Sequence, residues 1–505
     1  MSESSASSTD PNSASPQDPL PLSLRAWQEP YRREDRAEVA LCISAGGFRS
    51  FCCGIGQVRA LRSMGIFDQI DLLSAVSGGA WFASALAFAQ NRTDLDNLLG
   101  EYVPPQSLTA EALQRLDARF IGAPIAEMSV ISLARQIVEK GYSLSRLFGE
   151  CLQHEALEPL GLTQTLLMAS DHAERDALLQ RNPHLTADQI AVSGLGKTRL
   201  VAGAALGFHD DGYERFYHVE LEPGRLVLGS QVDTPLYAVE AAALACNVGP
   251  QHEGVFDTTL SDPNGFGLAQ MWTSTGGAPF GVFARLAALF NADPWDIVPP
   301  QGDWLGEGSF LVDGGYVEGN GVLAALRRGA NRLIVCLNLN SAFGTRSNEH
   351  VQGMDGQITH LFGKPPRSGL YKDSDIHIFA TAELDDLELG FRTAQTLGEI
   401  PWALVEHTIP ENRFGIAPRR VNILWILNET PQNWAAHLPN QINTARRVMR
   451  HSGGVPHLPV AFAHQGYMFR LEARQINLMA QMHDYAMRSL RPQLDALLEW
   501  NPPAP

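Results

Sequence analysis

Three stretches of this chain carry residue types suited to acyl-transfer chemistry. Ser77 stands between an apolar run, Leu72 to Val76, and two glycines, Gly78 and Gly79. A serine set directly between a buried strand and a small-residue helix suits a nucleophile elbow. The tight turn pushes the hydroxyl clear of the backbone and excludes bulky neighbours. The usual spacing is G-x-S-x-G; here the first position is Ala75, which is still small. Alone, the string reads more readily as a Gly-Ser helix start in an α/β domain.

Upstream, Ser44-Ala45-Gly46-Gly47-Phe48-Arg49-Ser50 joins the strand-like Val39 to Ile43 to a run of helical spacing, Arg49 to Met64, closed by Gly65. N–H groups at a helix start lack intrahelical acceptors, and the helix dipole favours negative charge there. An oxyanion hole needs those properties. Arg49 adds a positive charge suited to phosphate or carboxylate, although alone it reads as a solvated first-turn side chain. Downstream, Asp313 ends the apolar Phe310 to Val312 and precedes Gly314 and Gly315, which tolerate positive φ. Asn320 is placed to cap a helix from Gly321 to Arg328, and Leu333 to Leu337 form another buried strand. A serine hydroxyl needs a base within hydrogen-bond reach. A carboxylate, with an ordinary pKa of about 4, serves only when desolvated or otherwise tuned.

In this order, the glycine loop, Ala75-Val76-Ser77-Gly78-Gly79-Ala80-Trp81 and Asp313-Gly314-Gly315 resemble the patatin-like and cytosolic phospholipase A2 superfamily. The cytosolic phospholipase A2 branch, with S-G-G-G-x-R and G-L-S-G-S-x-W at these places, is the nearer. Val421 to Pro439 resembles its late V-x-x-L-W-x-x-N-x-x-x-x-W segment, and Tyr237 to Pro250 its helix before the second half of the core. The chain departs from the family at Ala45, where a glycine is usual, and at Val322, where a proline is usual. The resemblance covers roughly 38–459, and the calcium-binding C2 domain of some members is not expected.

The resemblance implies a Ser–Asp dyad, with Ser77 as nucleophile and Asp313 as base. Gly46 and Gly47 would supply oxyanion N–H groups, and Arg49 would bind lipid phosphate. It also implies an α/β fold, a three-layer sandwich with a central mixed sheet and an inserted helical cap. The substrate would be a phospholipid or lysophospholipid, met by peripheral membrane contact, with no metal and no cofactor. A rival enzyme reading is an α/β-hydrolase with a Ser-Asp-His triad, drawing on His350, His360, His377, His407 or His437. A second rival is a lipid-binding scaffold without turnover.

The remaining chain bounds these readings. Its 505 residues carry a formal charge of −17, which argues against nucleic acid as a partner. Six scattered cysteines lack metal-site spacing and read as reduced and buried. The Ser/Pro/Asp-rich start lacks a basic n-region and an apolar core, so it reads as a disordered leader, 1–24, not a secretory signal. No window is apolar enough to span a bilayer, so a cytoplasmic or peripheral membrane location is expected. The catalytic domain is assigned to 25–460, with the helical cap at about 91–195. A C-terminal helical extension, 461–505, is expected to pack on the body.

Two β-rich runs, Thr198 to Phe208 and Tyr213 to Leu221, suggest a hairpin at Asp210-Asp211-Gly212, with His218 a satisfied sheet histidine. The Gly-, Phe- and Trp-rich Asp262 to Pro300 suits an acyl pocket or lid. Ser341 to Arg367 reads as a surface loop, and Ile376 to Ala380 as a strand.

Overall fold

Short apolar runs bounded by glycine build the middle of this α/β molecule. Val39–Ile43 and Leu72–Val76 are buried at every position, as parallel strands covered on both faces must be. The computed structural model describes residues 20–27, 36–89, 94–127, 149, 152–162, 165–208, 215–228, 237–241, 244, 246–252, 255–260, 265–276, 309–443 and 471–501.

Seventeen strands are described: β1 (Leu20–Trp27), β2 (Val39–Ile43), β3 (Leu72–Val76), β4 (Leu167–Ala169), β5 (Ile190–Val192), β6 (Arg199–Phe208), β7 (Arg215–Glu222), β8 (Arg225–Leu228), β9 (Tyr237–Glu240), β10 (Cys246–His252), β11 (Val255–Leu260), β12 (Ser309–Asp313), β13 (Arg332–Leu337), β14 (His350–Val351), β15 (Met354–Asp355), β16 (Trp402–Ile409) and β17 (Arg419–Leu427). Thirteen of them form one mixed sheet in the order β10-β11-β1-β9-β8-β7-β6-β3-β2-β13-β17-β16, with β12 paired to β6 off that path. The pairs β6–β3, β3–β2, β2–β13 and β13–β17 are parallel. Ligand crevices of such sheets open at the carboxyl ends of the parallel strands.

Helix α1 (Gly47–Ser63) follows β2, and α2 (Gly78–Ala89) follows β3. Both are buried along almost their whole length, so neither shows the one-sided pattern of a surface helix. Trp81 of α2 stacks on Trp272 of the helix Leu268–Thr275, and Trp272 Nε1 donates to Ser84 Oγ. That part of the Gly/Phe/Trp-rich segment packs in the core; 262–264 and 277–300, the rest of the expected pocket or lid, lie outside the described residues. The turn at Asp210-Asp211-Gly212 and the leader up to residue 19 lie outside them as well.

Between 94 and 195 the described elements are short helices and the two-stranded β4–β5 pair. The helix Ala473–Ser489 lies along α1 closely enough that a Cβ on Gly56 would meet the Ala480 carbonyl at 2.1 Å.

Several local expectations change. Tyr237–Glu240 and Cys246–His252 are strands, not part of a helix, because each finds a sheet neighbour. The Ile376 to Ala380 run forms only a bridge from His377 to Phe362, and its acidic neighbours Glu383, Asp385 and Asp386 open the helix Glu383–Thr396. Acidic side chains suit the positive end of a helix. Ser341 to Arg367 is more than a loop. It holds β14, β15 and the helix Gly356–Thr359.

Candidate active site

Four strand ends meet at one place. Ser44 follows β2, Ser77 follows β3, Asp313 ends β12, and Asn338 follows β13. Ser77 has φ 53, one of two non-glycine residues with positive φ among those described. Such strain persists where packing over-determines it. A Cβ on Gly78 would stand 1.8 Å from the Gly47 carbonyl oxygen, and one on Gly79 would stand 2.5 Å from that of Ile43. The two glycines after Ser77 therefore let the elbow press against the glycine loop.

The Ser77 hydroxyl donates to Asp313 Oδ2 at 2.7 Å, and both residues are buried. The other carboxylate oxygen of Asp313 accepts the Gly315 N–H at 2.8 Å, which fixes the carboxyl plane. Gly314 packs against β6, where a Cβ would meet the Gly203 carbonyl oxygen at 2.5 Å. The Asp-Gly-Gly sequence is thus a steric requirement for bringing the carboxylate to the elbow.

The glycine loop is held by Asn338, which sequence reasoning missed. Its N–H donates to Ser44 Oγ (2.8 Å), its Nδ2 to Ser50 Oγ (2.9 Å), and its Oδ1 accepts from Gln57 Nε2 (3.1 Å). Its carbonyl accepts from Arg49 Nε at 2.9 Å. Arg49 also donates to Asn340 Oδ1. Burial pulls the Arg49 pKa down to about 10, so the guanidinium stays charged at neutral pH. Ala45 N–H donates to the Gly319 carbonyl at 2.7 Å, tying this loop to the segment after Asp313. Gly46 and Gly47 open α1, whose first N–H groups have no intrahelical acceptors.

Asn320 does not cap the next helix. Its side chain donates to the Gln357 carbonyl, and Glu318 receives the Asn320 and Gly321 N–H groups at 2.6 and 3.0 Å. The two oxygens of Glu318 take both of these N–H groups, which leaves the Asn320 side chain to Gln357. Burial, opposed by those N–H groups, pushes the Glu318 pKa up to about 7.

These parts line a pocket of about 360 Å³ that includes Gly46, Gly47, Arg49, Ser77 and Asp313. Glu349, Asp355 and Tyr371 form other parts of its wall. None of the three was singled out from sequence, because they come from a polar stretch without a motif. No histidine lines this pocket among the described residues. His350 bonds Ser341 and Ser347, His360 bonds Ser374, His407 bonds Glu383, His377 faces Thr381, and His437 faces the Asn433 carbonyl. His218 is less satisfied than its sequence suggests: Nδ1 meets Arg327, while Nε2 is buried without a partner. Cys42, Cys52, Cys53 and Cys336 are free and buried. No group of three or more metal-ligating side chains is found among the described residues.

No family model matches the chain. Over 74 residues, 14% of this chain and 11% of the other, it is 32% identical to a Saccharomyces cerevisiae protein titled "Putative meiotic phospholipase SPO1". Among solved structures it resembles human GIVD cytosolic phospholipase A2, at 12% identity and TM-score 0.49, over 92% of this chain and 63% of that one. The same human protein in complex with methyl gamma-linolenyl fluorophosphonate aligns at 13% identity and TM-score 0.41, over 92% and 59%. The chain thus spans less than two thirds of the length of each of these proteins.

Proposed function

We propose that this protein hydrolyses fatty acyl esters of glycerophospholipids or lysophospholipids by nucleophilic attack of Ser77. One observation carries the reading: a serine at a strained strand-to-helix turn donates its proton directly to a buried carboxylate, inside a pocket. The motif resemblance and the phospholipase named in the yeast protein's title point to the same substrate class.

Ser77 Oγ attacks the ester carbonyl as its proton passes to Asp313 Oδ2. The tetrahedral oxyanion lies against the N–H groups of Gly46 and Gly47, where the α1 dipole adds to each bond. Collapse expels the alcohol, which takes the proton from Asp313 and leaves an acyl-Ser77 ester. Water then attacks with Asp313 again as base, releasing the fatty acid. Arg49 holds the substrate phosphate. No described helix is long and apolar enough to cross a membrane; in this reading the lipid is met by peripheral contact.

The test is product analysis by mass spectrometry on a phospholipid panel, with fluorophosphonate labelling of Ser77. Ser77→Ala and Asp313→Ala should each lower kcat by about 10⁴-fold or more, as removal of nucleophile or base does elsewhere. Substantial turnover by folded Asp313→Ala would sink the dyad. An unlabelled Ser77 in the native protein would favour the silent scaffold.

A further inference from the structure

The charged groups around the pocket do not match a simple anion. Its described lining holds one cation, Arg49, and three carboxylates, Asp313, Glu349 and Asp355. Asp313 is occupied by Ser77 and Gly315. Asp355 accepts the Gln357 N–H at 2.9 Å and the Ser341 hydroxyl at 3.0 Å. Ser341 has a single proton, and it goes to the carboxylate, so His350 Nε2–H donates to Ser341 Oγ (2.7 Å), while His350 Nδ1 meets Ser347 Oγ at 2.6 Å. Both carboxylate oxygens of Asp355 are therefore held in place by protein donors. Neither Asp355 nor Glu349 forms an ion pair with a described residue, and Glu349 is exposed at the rim beside Gly369.

A second group on the wall also lacks a partner. Tyr371 is 7% exposed, and its hydroxyl bonds to no described residue. That hydroxyl lies against the segment after Asp313, where a Cβ on Gly319 would stand 2.5 Å from it. Burial and neighbouring carboxylates push its pKa well above the usual value, so it remains an O–H donor. As part of the pocket wall, this O–H is placed to donate to a ligand.

We propose that this pocket selects substrates whose alcohol part is zwitterionic, a phosphate ester bearing an ammonium group. Arg49 and the Tyr371 hydroxyl take the phosphate oxygens, and Glu349 and Asp355 face the ammonium. This rests on the phospholipid reading above and adds the residues that set head-group choice. The physical reason is the local sum of charge. A purely anionic head group gains Arg49 but is repelled by Glu349 and Asp355, whereas a zwitterion brings its own cation to them.

The experiment compares kcat/KM for phosphatidylcholine and phosphatidylglycerol of identical acyl chains, each dilute in nonionic micelles so that surface charge does not govern access. The native protein should favour phosphatidylcholine by roughly tenfold, a modest Coulomb difference at a partly exposed site. Glu349→Gln with Asp355→Asn should bring the ratio close to one; asparagine keeps the N-cap of Gly356–Thr359, so the fold is retained. Glu349→Lys, at an exposed position, should invert the preference. A native ratio of one, or a ratio that the double variant leaves unchanged, would overturn the head-group assignment while phospholipid turnover stands. Absence of turnover on both lipids, with Ser77 still labelled by a fluorophosphonate, would overturn the phospholipid reading and this inference with it.

Discussion

Helix α1 buries two arginines, and they are treated in opposite ways. Arg59, in the fourth turn, pairs with Asp484 at 2.6 Å and donates to the carbonyls of Leu99 and Ala480, so its charge is cancelled inside the fold. Arg49, in the first turn, donates to a backbone carbonyl and an amide oxygen and lines the pocket. These two oxygens orient the guanidinium. One arginine therefore joins α1 to the helix Ala473–Ser489, and the other presents an oriented cation to the place where Ser77 and Asp313 meet. Equal burial says nothing about role; the chemistry of the acceptor does.

Breaking the structural member of this pair should have the larger effect. Arg59→Ala leaves Asp484 buried with only Arg488 beside it. Removing one partner of a buried pair costs about 3–5 kcal/mol. The retained Arg488 contact places this case near 3 kcal/mol, measured by denaturant unfolding. Replacing both partners, Arg59→Met with Asp484→Leu, should recover most of that loss, since an apolar pair of similar volume replaces the ion pair. No recovery would show that the carbonyl contacts of Arg59, and not its charge, hold the helices.

The helix Ala473–Ser489 also carries a titratable group, His483, buried with Nε2 unpartnered. Burial pulls its pKa down from 6.5 to about 3. The folded imidazole therefore stays neutral down to about pH 3, while the unfolded chain takes up a proton below about pH 6.5. Stability is fully present above that unfolded value and is lost as pH falls toward 3. At pH 5 the loss is about 2 kcal/mol for this one side chain. His483→Leu should remove that part of the acid sensitivity. Identical Tm-versus-pH slopes in the two proteins would show that His483 is hydrated or protonated in the native state.

The pocket and this interface were not equally legible in the sequence. Ser77, Asp313 and the glycine loop could be read because sterics force their neighbours to be glycine, leaving strings such as Ser-Gly-Gly and Asp-Gly-Gly. The central strands were legible because burial on both faces requires unbroken apolar runs. Asn338, Glu349, Asp355 and Tyr371 left no such trace; the Asn338 contacts to Ser44, Ser50 and Gln57 span most of the chain, and the other three sit in a polar stretch without a motif. Tyr237 to Pro250 misled because small residues suit a helix or a tightly packed strand, and sheet neighbours decided between them. Asn320 misled for a local reason: its type suits a cap, but a carboxylate two residues earlier reaches the same N–H groups.

The smallest predicted effect tests the functional member of the pair. Arg49→Ala should lower kcat/KM on a phospholipid about tenfold more than on a neutral short-chain ester, a difference of about 1.4 kcal/mol. The extra loss is the phosphate contact; the shared loss is any loosening of the Asn338 hub, whose carbonyl would lose its Arg49 donor. Arg49→Lys should fall between, because an ammonium keeps the charge but cannot bond the Asn338 carbonyl, the Asn340 amide and a phosphate with one planar fork. Equal losses on both esters would reduce Arg49 to a scaffold residue like Arg59 and erase the contrast between the two arginines.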